Sequence, residues 1–217
     1  MTDSSVLYYS RGACSWAPHT LLEELGVPFE ARRIDATKGE NRTPEYLKLH
    51  PRAHVPVLVQ GDFVLTEAAA ILVHLADAHP EKKLIPSAGT QARARVHEWC
   101  GFLASAVHLS FRNVFRPERV CDDPKTHDSI KAFNRGLLEK QYAEVEDRLK
   151  RSAGPWVLGA DYSVVDPYVL VMHRWGHRIQ VDMSRYPVWV AHSNAMLARP
   201  AVQRSMDREE ITLTGLR

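Results

Sequence analysis

Tyr8-Tyr9-Ser10-Arg11-Gly12-Ala13-Cys14-Ser15-Trp16-Ala17-Pro18-His19 decides the fold. Val6 to Tyr9, β-branched and aromatic, reads as a strand that ends in a Gly-containing turn. A helical pattern starts at Ser15. Leu21, Leu22 and Leu25 share one face, Glu23 and Glu24 another, and Gly26 closes the helix as a C-terminal cap. Pro18 falls in the first turn, where a missing N–H costs little. Cys14 therefore sits at the mouth of a helix. Unpaired N–H groups and the helix dipole favour an anion there, so its thiol is expected to shift toward thiolate.

Working outward, Phe29 to Ile34 reads as a second strand. Strand, helix and strand in close succession make a right-handed βαβ unit. Thr43-Pro44-Glu45 opens a short helix, and His50 to His54 is a turn. Val55-Pro56-Val57-Leu58-Val59 reads as an edge strand. Gly61-Asp62 turns it back onto Phe63-Val64-Leu65. A helix then begins at Thr66-Glu67, with Ile71, Leu72 and Leu75 on its apolar face. The first half is thus βαβ followed by ββα.

Around Leu84-Ile85-Pro86-Ser87-Ala88-Gly89 the pattern changes, and no strand signal follows. The expected organisation is an α/β domain over residues 1–83, a linker over 84–90 and an all-α domain over 91–217. In the latter, a helix from about Gln91 carries Val96, Trp99, Leu103 and Val107. A second carries Ile130, Phe133, Leu137, Leu138, Tyr142, Val145 and Leu149, and Gly154-Pro155 stops it. Ser163 to Trp175 is apolar and helical, and shorter helices start at Pro187 and Pro200.

Composition narrows the function classes. The 217 residues carry a net charge of only +2, which is no nucleic-acid footprint. Every apolar run stops short of the roughly 20 residues that span a bilayer. The polar N-terminus lacks a signal-peptide core, and three cysteines without framework spacing fit a reducing compartment, so a cytoplasmic protein is expected. The scattered histidines and unpaired cysteines argue against a zinc site.

Four strings carry a resemblance: Tyr9 through His19, Pro51-Arg52-Ala53-His54-Val55-Pro56-Val57-Leu58, Thr66-Glu67-Ala68-Ala69-Ala70-Ile71, and Gly159-Ala160-Asp161-Tyr162-Ser163-Val164-Val165-Asp166. With the domain order, they resemble the cytosolic glutathione transferases, a thioredoxin-like domain followed by a helical one. The cysteine string is most similar to the bacterial beta class.

The resemblance implies a residue set. Val55-Pro56 stands where such folds place a cis proline, and Val55 would pair with the glutathione backbone like an added strand. Glu67 would meet the γ-glutamyl end of glutathione; read by itself, it is equally a helix-capping carboxylate. Relatives carry Ser or Thr where this chain has Ala68, which keeps the backbone N–H and loses the hydroxyl. Lys38 would pair with the glycyl carboxylate; read by itself, it is a solvated loop lysine. His108 would face the thiol from the helical domain; without that context it is a surface or satisfied histidine. Gly101 stands where the family often has Asn. Tyr9 matches a tyrosine kept near the thiol, and Ser10, Tyr8 and Ser15 are lesser hydroxyl candidates. Ser163 and Asp166 form a capping box with a folding role. A homodimer is implied by family alone.

Ala17 stands where a C-x-x-C motif would place its second thiol, so a dithiol oxidoreductase is excluded. The expected activity is conjugation of glutathione to a hydrophobic electrophile, with no metal. A glutathione-dependent thiol transferase or reductase acting through Cys14, or a non-catalytic protein of this fold that binds apolar ligands or another protein, are the alternatives.

Overall fold

A computed structural model describes residues 5–212. Their contacts form two units. One runs to Ile85 and also takes the stretch from Met196. The other runs from Pro86 to Ala195.

The first unit is built on a sheet of β1 (Ser5–Tyr9), β2 (Phe29–Arg33), β3 (Val57–Gln60) and β4 (Phe63–Thr66), in the order β2-β1-β3-β4. β1 and β2 are parallel and the other pairs antiparallel, with Leu7 opposite both Ala31 and Leu58. The helices here are α1 (Trp16–Leu25), α2 (Pro44–Leu49) and α3 (Ala68–Asp77). Leu7, Leu21, Leu22, Leu58, Ile71 and Leu72 are fully buried between sheet and helices. β3 begins at Val57, two residues later than the sequence pattern suggests, just after the cis Val55–Pro56 bond.

The division differs from the expected one at the far end. Helix α9 (Pro200–Glu209) packs along α1 and belongs with the thioredoxin-like unit. The contact is polar and buried. The Trp16 indole donates to Ser205 Oγ at 2.9 Å, Thr20 meets the same hydroxyl, and His19 Nδ1 lies 2.8 Å from Glu209 Oε1. Glu209 Oε2 also accepts the Gly12 N–H at 2.8 Å, which anchors the turn before Cys14. The sequence places a helix start at Pro200 but not the surface it will cover. The ends of the expected domains, residues 1–4 and 213–217, lie outside the described residues.

The second unit is helical. α4 (Gln91–Phe102) runs through a π-turn over Leu103–Val107 into α5 (His108–Phe115). α6 (His127–Ser152), α7 (Asp166–Arg178) and α8 (Pro187–Leu197) complete it. Val96, Leu103, Val107, Tyr142, Val145, Val169, Met172 and Trp189 fill its core. Tyr142 donates to the Met172 carbonyl at 3.1 Å, and the buried Glu146 carboxylate caps α8 by accepting the Val188 and Trp189 N–H groups. Gly176 lets these elements close up: a Cβ there would lie 2.4 Å from Met183 Sδ and 2.9 Å from the Tyr142 ring.

Candidate functional site

In the first unit, the turn before α1 and the cis-proline loop bring Cys14 and Val55 together. Cys14 is buried, and its thiol donates to the Val55 carbonyl at 3.4 Å. This reverses the expectation for its ionisation. Burial, and then the charge of Glu67, push the Cys14 pKa up to about 12, although its own and Ser15's backbone N–H groups pull the other way. Helix-mouth donors are present, but desolvation of the sulfur outweighs them. Cys14 is a neutral thiol here.

The loop carrying Val55 is held by two residues whose role the sequence did not announce. Asn41 donates to the Ala53 carbonyl at 2.8 Å, and Tyr46 donates to the His54 carbonyl at 2.7 Å. Ala53 takes a positive φ of 57°. Among the described residues, no group takes the Val55 N–H. Its backbone edge is therefore presented to a ligand by buried side chains on the segment leading into α2 and on α2 itself.

Glu67 starts α3, but its side chain makes no capping bond. It pairs instead with Arg52 across the exposed surface. The capping reading is thereby overturned. Glu67 has φ 71° and ψ 121°, a backbone state that costs a non-glycine residue on the order of 1–3 kcal/mol. Beyond it, Ile71 N–H is the first to find a carbonyl, that of Glu67. The N–H groups of Ala68, Ala69 and Ala70 have no partner among the described residues, and Ala68 is only 6% exposed. Buried donors without partners are costly, and a helix mouth with open N–H groups is an anion site. The residues present thus fit a small peptide: an open backbone edge at Val55-Pro56, open donors and a carboxylate at α3. Lys38 is exposed on the loop after β2, with no carboxylate partner among the described residues.

The hydroxyl candidates are otherwise engaged. Tyr9 donates to the Arg208 carbonyl at 3.4 Å and packs on the His19 ring, and burial followed by Glu209 raises its pKa. It anchors α9, which removes the geometric case for Tyr9 as a catalytic group. Ser10 donates to the Ile34 carbonyl at 2.6 Å, Ser15 bonds back to Ser10, and Tyr8 accepts from Arg32.

In the helical unit, His108 opens α5 directly after the π-turn. It is half-buried, its Nδ1 lies 3.3 Å from the Tyr168 hydroxyl, and its ring stands edge-on to Trp175 at 4.8 Å. Ser105 within the turn donates to the Gly101 carbonyl at 2.8 Å, a back-bond that loosens the helical ladder. Gly101 itself leaves open space. Cys100 is buried, and burial raises its pKa to about 11. Cys121 is partly exposed, and the Thr126 hydroxyl, then the Asp123 N–H, lower its pKa. Among the described residues no group of His, Cys, Asp and Glu is arranged to hold a metal, and no helix is long and apolar enough to cross a membrane.

A thioredoxin-like unit with a single cysteine at the α1 mouth and a cis-proline edge beside it defines a glutathione-type site. Comparison with known proteins agrees. Residues 4–77 match the family model of the glutathione S-transferase N-terminal domain. A glutathione S-transferase of Escherichia coli O157:H7 is 30% identical over 94% of this chain and 98% of its own length. A glutathione transferase homologue from Sulfitobacter, solved with bound glutathione, superposes with a TM-score of 0.89 at 29% identity, covering 95% of this chain and 98% of that one. A beta class glutathione S-transferase from Sphingomonas chungbukensis gives 0.84 at 30%, covering 95% and 100%. The chain belongs to the glutathione S-transferase family.

Proposed function

We propose that this protein conjugates glutathione to hydrophobic electrophiles. The observation that carries the reading is the α3 mouth, whose N–H donors stay open while the Glu67 carboxylate beside them turns out to Arg52, in the same unit as the Val55 edge. In this reading the Ala68 and Ala69 N–H groups take the γ-glutamyl carboxylate and Glu67 takes the amine. Val55 pairs with the peptide backbone, and Lys38 takes the glycyl carboxylate. Glutathione supplies the nucleophilic sulfur. With an aryl halide, the sulfur–carbon bond forms, the halide leaves with its bonding pair, and the thiol proton goes to solvent.

The protein's contribution is to favour the sulfur anion. A neutral Cys14 suits that task as a donor. Its S–H, now given to the Val55 carbonyl, can be given instead to the glutathione sulfur. The same neutrality opposes the thiol transferase alternative, which needs Cys14 as the attacking thiolate. His108 as a second catalytic group and the helical unit as holder of the electrophile rest on family resemblance, as do a homodimer and a role in detoxification; a cytoplasmic location rests on the composition.

Calorimetric titration with glutathione, followed by an aryl halide assay, tests the proposal. Cys14→Ser is expected to bind glutathione and to keep part of the conjugating activity, since its hydroxyl still donates. Absence of glutathione binding by the parent protein overturns the reading. Complete loss of conjugation in a Cys14→Ser variant that still binds overturns the donor role.

A further inference from the structure

An ion pair stands beside the candidate peptide site. Arg52, in the turn after α2, holds the Glu67 carboxylate at the start of α3, 15 residues along the chain. The backbone under each is fixed. The Ala53 N–H closes a turn on the His50 carbonyl at 2.8 Å, and the Asn41 side chain holds the Ala53 carbonyl at 2.8 Å. Glu67 is set by its φ of 71° and by the Ile71 N–H on its carbonyl. The charges of both reach His50, which is buried in the same loop: burial and then Arg52 lower its pKa, and Glu67 raises it. The guanidinium therefore stands over the loop that carries Val55.

This pair differs from those that hold the fold. Arg199 and Arg204 dock α9 on α1 through Glu24 and Glu23, whose side chains are 14% and 6% exposed. Arg52 and Glu67 are 62% and 64% exposed. An ion pair so far in water adds little stability and opens at little cost. What it does occupy is the carboxylate that leads into the open N–H donors of Ala68, Ala69 and Ala70. A cation that seeks Glu67 must displace Arg52. In glutathione the γ-linkage leaves an ammonium and a carboxylate free on one carbon. When the ammonium reaches Glu67, the carboxylate comes with it, into the reach of a guanidinium that has just lost its partner. A guanidinium fork fits a planar carboxylate.

We propose that Arg52 and Glu67 form an exchange clasp that selects the zwitterionic end of glutathione: the ligand's ammonium replaces Arg52 on Glu67, and Arg52 passes to the ligand's α-carboxylate beside the α3 donors. The inference rests on the glutathione reading of the α3 mouth and deepens it. Two ion pairs replace one, net charge is unchanged, and no proton moves. A ligand with the ammonium alone strands Arg52. A ligand with the carboxylate alone leaves Arg52 shared between itself and Glu67. Arg52 is a specificity-determining residue in this account.

Calorimetry on the intact protein compares glutathione with two analogues. γ-Aminobutanoyl-cysteinylglycine keeps the ammonium and lacks the α-carboxylate. Glutaryl-cysteinylglycine keeps the carboxylate and lacks the ammonium. Arg52→Gln is expected to bind the ammonium analogue about two- to fivefold more tightly, because the competitor for Glu67 is gone. The same variant is expected to bind the carboxylate analogue about two- to fivefold more weakly, the range of one exposed charge pair. Glutathione, which loses a contact and a competitor together, is expected to stay within about twofold. Arg52→Lys keeps the charge and loses the fork, so it falls between the parent and Arg52→Gln for both analogues. Opposite signs are the signature, since a merely structural loop residue moves both analogues the same way. Shifts of the same sign, or none, in a protein that binds glutathione overturn the clasp and leave the glutathione reading standing. A folded parent protein that binds none of the three ligands overturns the reading of the α3 mouth, and the clasp with it.

Discussion

The first turns of α3 and α7 are opposites. At α7 every donor is used. The Asp166 N–H reaches the Ser163 carbonyl, Pro167 has no N–H to satisfy, and Tyr168 and Val169 both reach the Val165 carbonyl. The fully buried Asp166 carboxylate accepts from Ser163 N–H at 2.7 Å, Ser163 Oγ at 2.9 Å, Val157 N–H at 2.8 Å and His192 Nε2 at 2.9 Å. At α3 three N–H groups are unused, and the residue in the capping position turns its carboxylate outward to Arg52. A closed mouth ties the chain to itself. An open one, held in a costly backbone state, is kept for something else.

The open mouth acts on its surroundings, and the largest expected effect is on Cys14. With its pKa near 12, the Cys14 thiolate fraction at neutral pH is about a thousandfold below that of a thiol at 9.0. Cys121, the thiol whose pKa is lowered, is expected to alkylate first across mildly acidic to neutral pH, with Cys14 and Cys100 slow. Iodoacetamide labelling read peptide by peptide checks this. Cys14 reacting first would break the account of its burial.

Next in size is Asp166→Ala. It strands buried donors and a buried histidine, so a loss of about 3–5 kcal/mol is expected, more than a simple cap supplies. Chemical denaturation measures it. Unfolding that stays within 1 kcal/mol of the parent, a value set by ordinary exposed caps, would make the two mouths equivalent. The same region carries an acid weakness. His173 is buried against His177 and Trp189, with neither ring nitrogen partnered, and burial, then His177, then His192 push its pKa down to about 3. The unfolded chain binds the proton first, so this stability is complete above the unfolded value near 6.5 and drains as pH falls toward 3. The slope contributed is at most about 1.4 kcal/mol per pH unit. Melting temperatures in His173→Leu are expected to fall less steeply over that window.

The pairing of Ser163 with Asp166 was legible because it is local, but not as the capping box expected: α7 starts at Asp166 behind Val165, which makes no side-chain cap, and Ser163 Oγ donates to the Asp166 carboxylate. The links of Asp166 to Val157 and His192 were not legible, since they cross nine and 26 residues of chain. The parallel βαβ pair, the β3–β4 hairpin and most helix starts were legible for the same local reason, whereas the pairing of β1 with β3 was not, and the cis proline was implied only by family resemblance. What sequence could not supply was desolvation. Spacing placed Cys14 at a helix mouth, which predicts a thiolate, and only burial reversed it. Pro200 marks the start of α9 in the sequence, but its docking on α1 depends on Trp16, His19 and Glu209 meeting across the fold. The π-turn before His108 has no sequence signal beyond small residues at Ala104, Ser105 and Ala106.

A smaller effect is expected from Glu67→Gln. The exposed pair with Arg52 adds little stability, so the melting temperature should stay fixed. Glutathione affinity should fall about tenfold, one charge-assisted contact. The Cys14 pKa should also drop, since the Glu67 charge is the second cause raising it. Faster Cys14 alkylation together with weaker glutathione binding sharpens the contrast between the mouths. A loss of stability instead would return Glu67 to a capping role.

The smallest effect is expected from Ala68→Ser. Ala68 is the first residue of α3, and its side chain is a methyl where a hydroxyl would add one donor beside the open N–H groups. In the ligand-free protein the helix is expected to lose a little, Ser being a weaker helix former than Ala. With glutathione bound, the hydroxyl can donate to the γ-glutamyl carboxylate. A neutral hydrogen bond of about 0.5–1.5 kcal/mol corresponds to roughly three- to tenfold tighter binding. Calorimetry of the parent and Ala68→Ser under one buffer decides it. Tighter binding at unchanged or slightly lower stability identifies the α3 mouth as the anion site. Unchanged binding with higher stability would mean that the serine had closed the mouth on itself, and that α3 and α7 differ only by one missing cap.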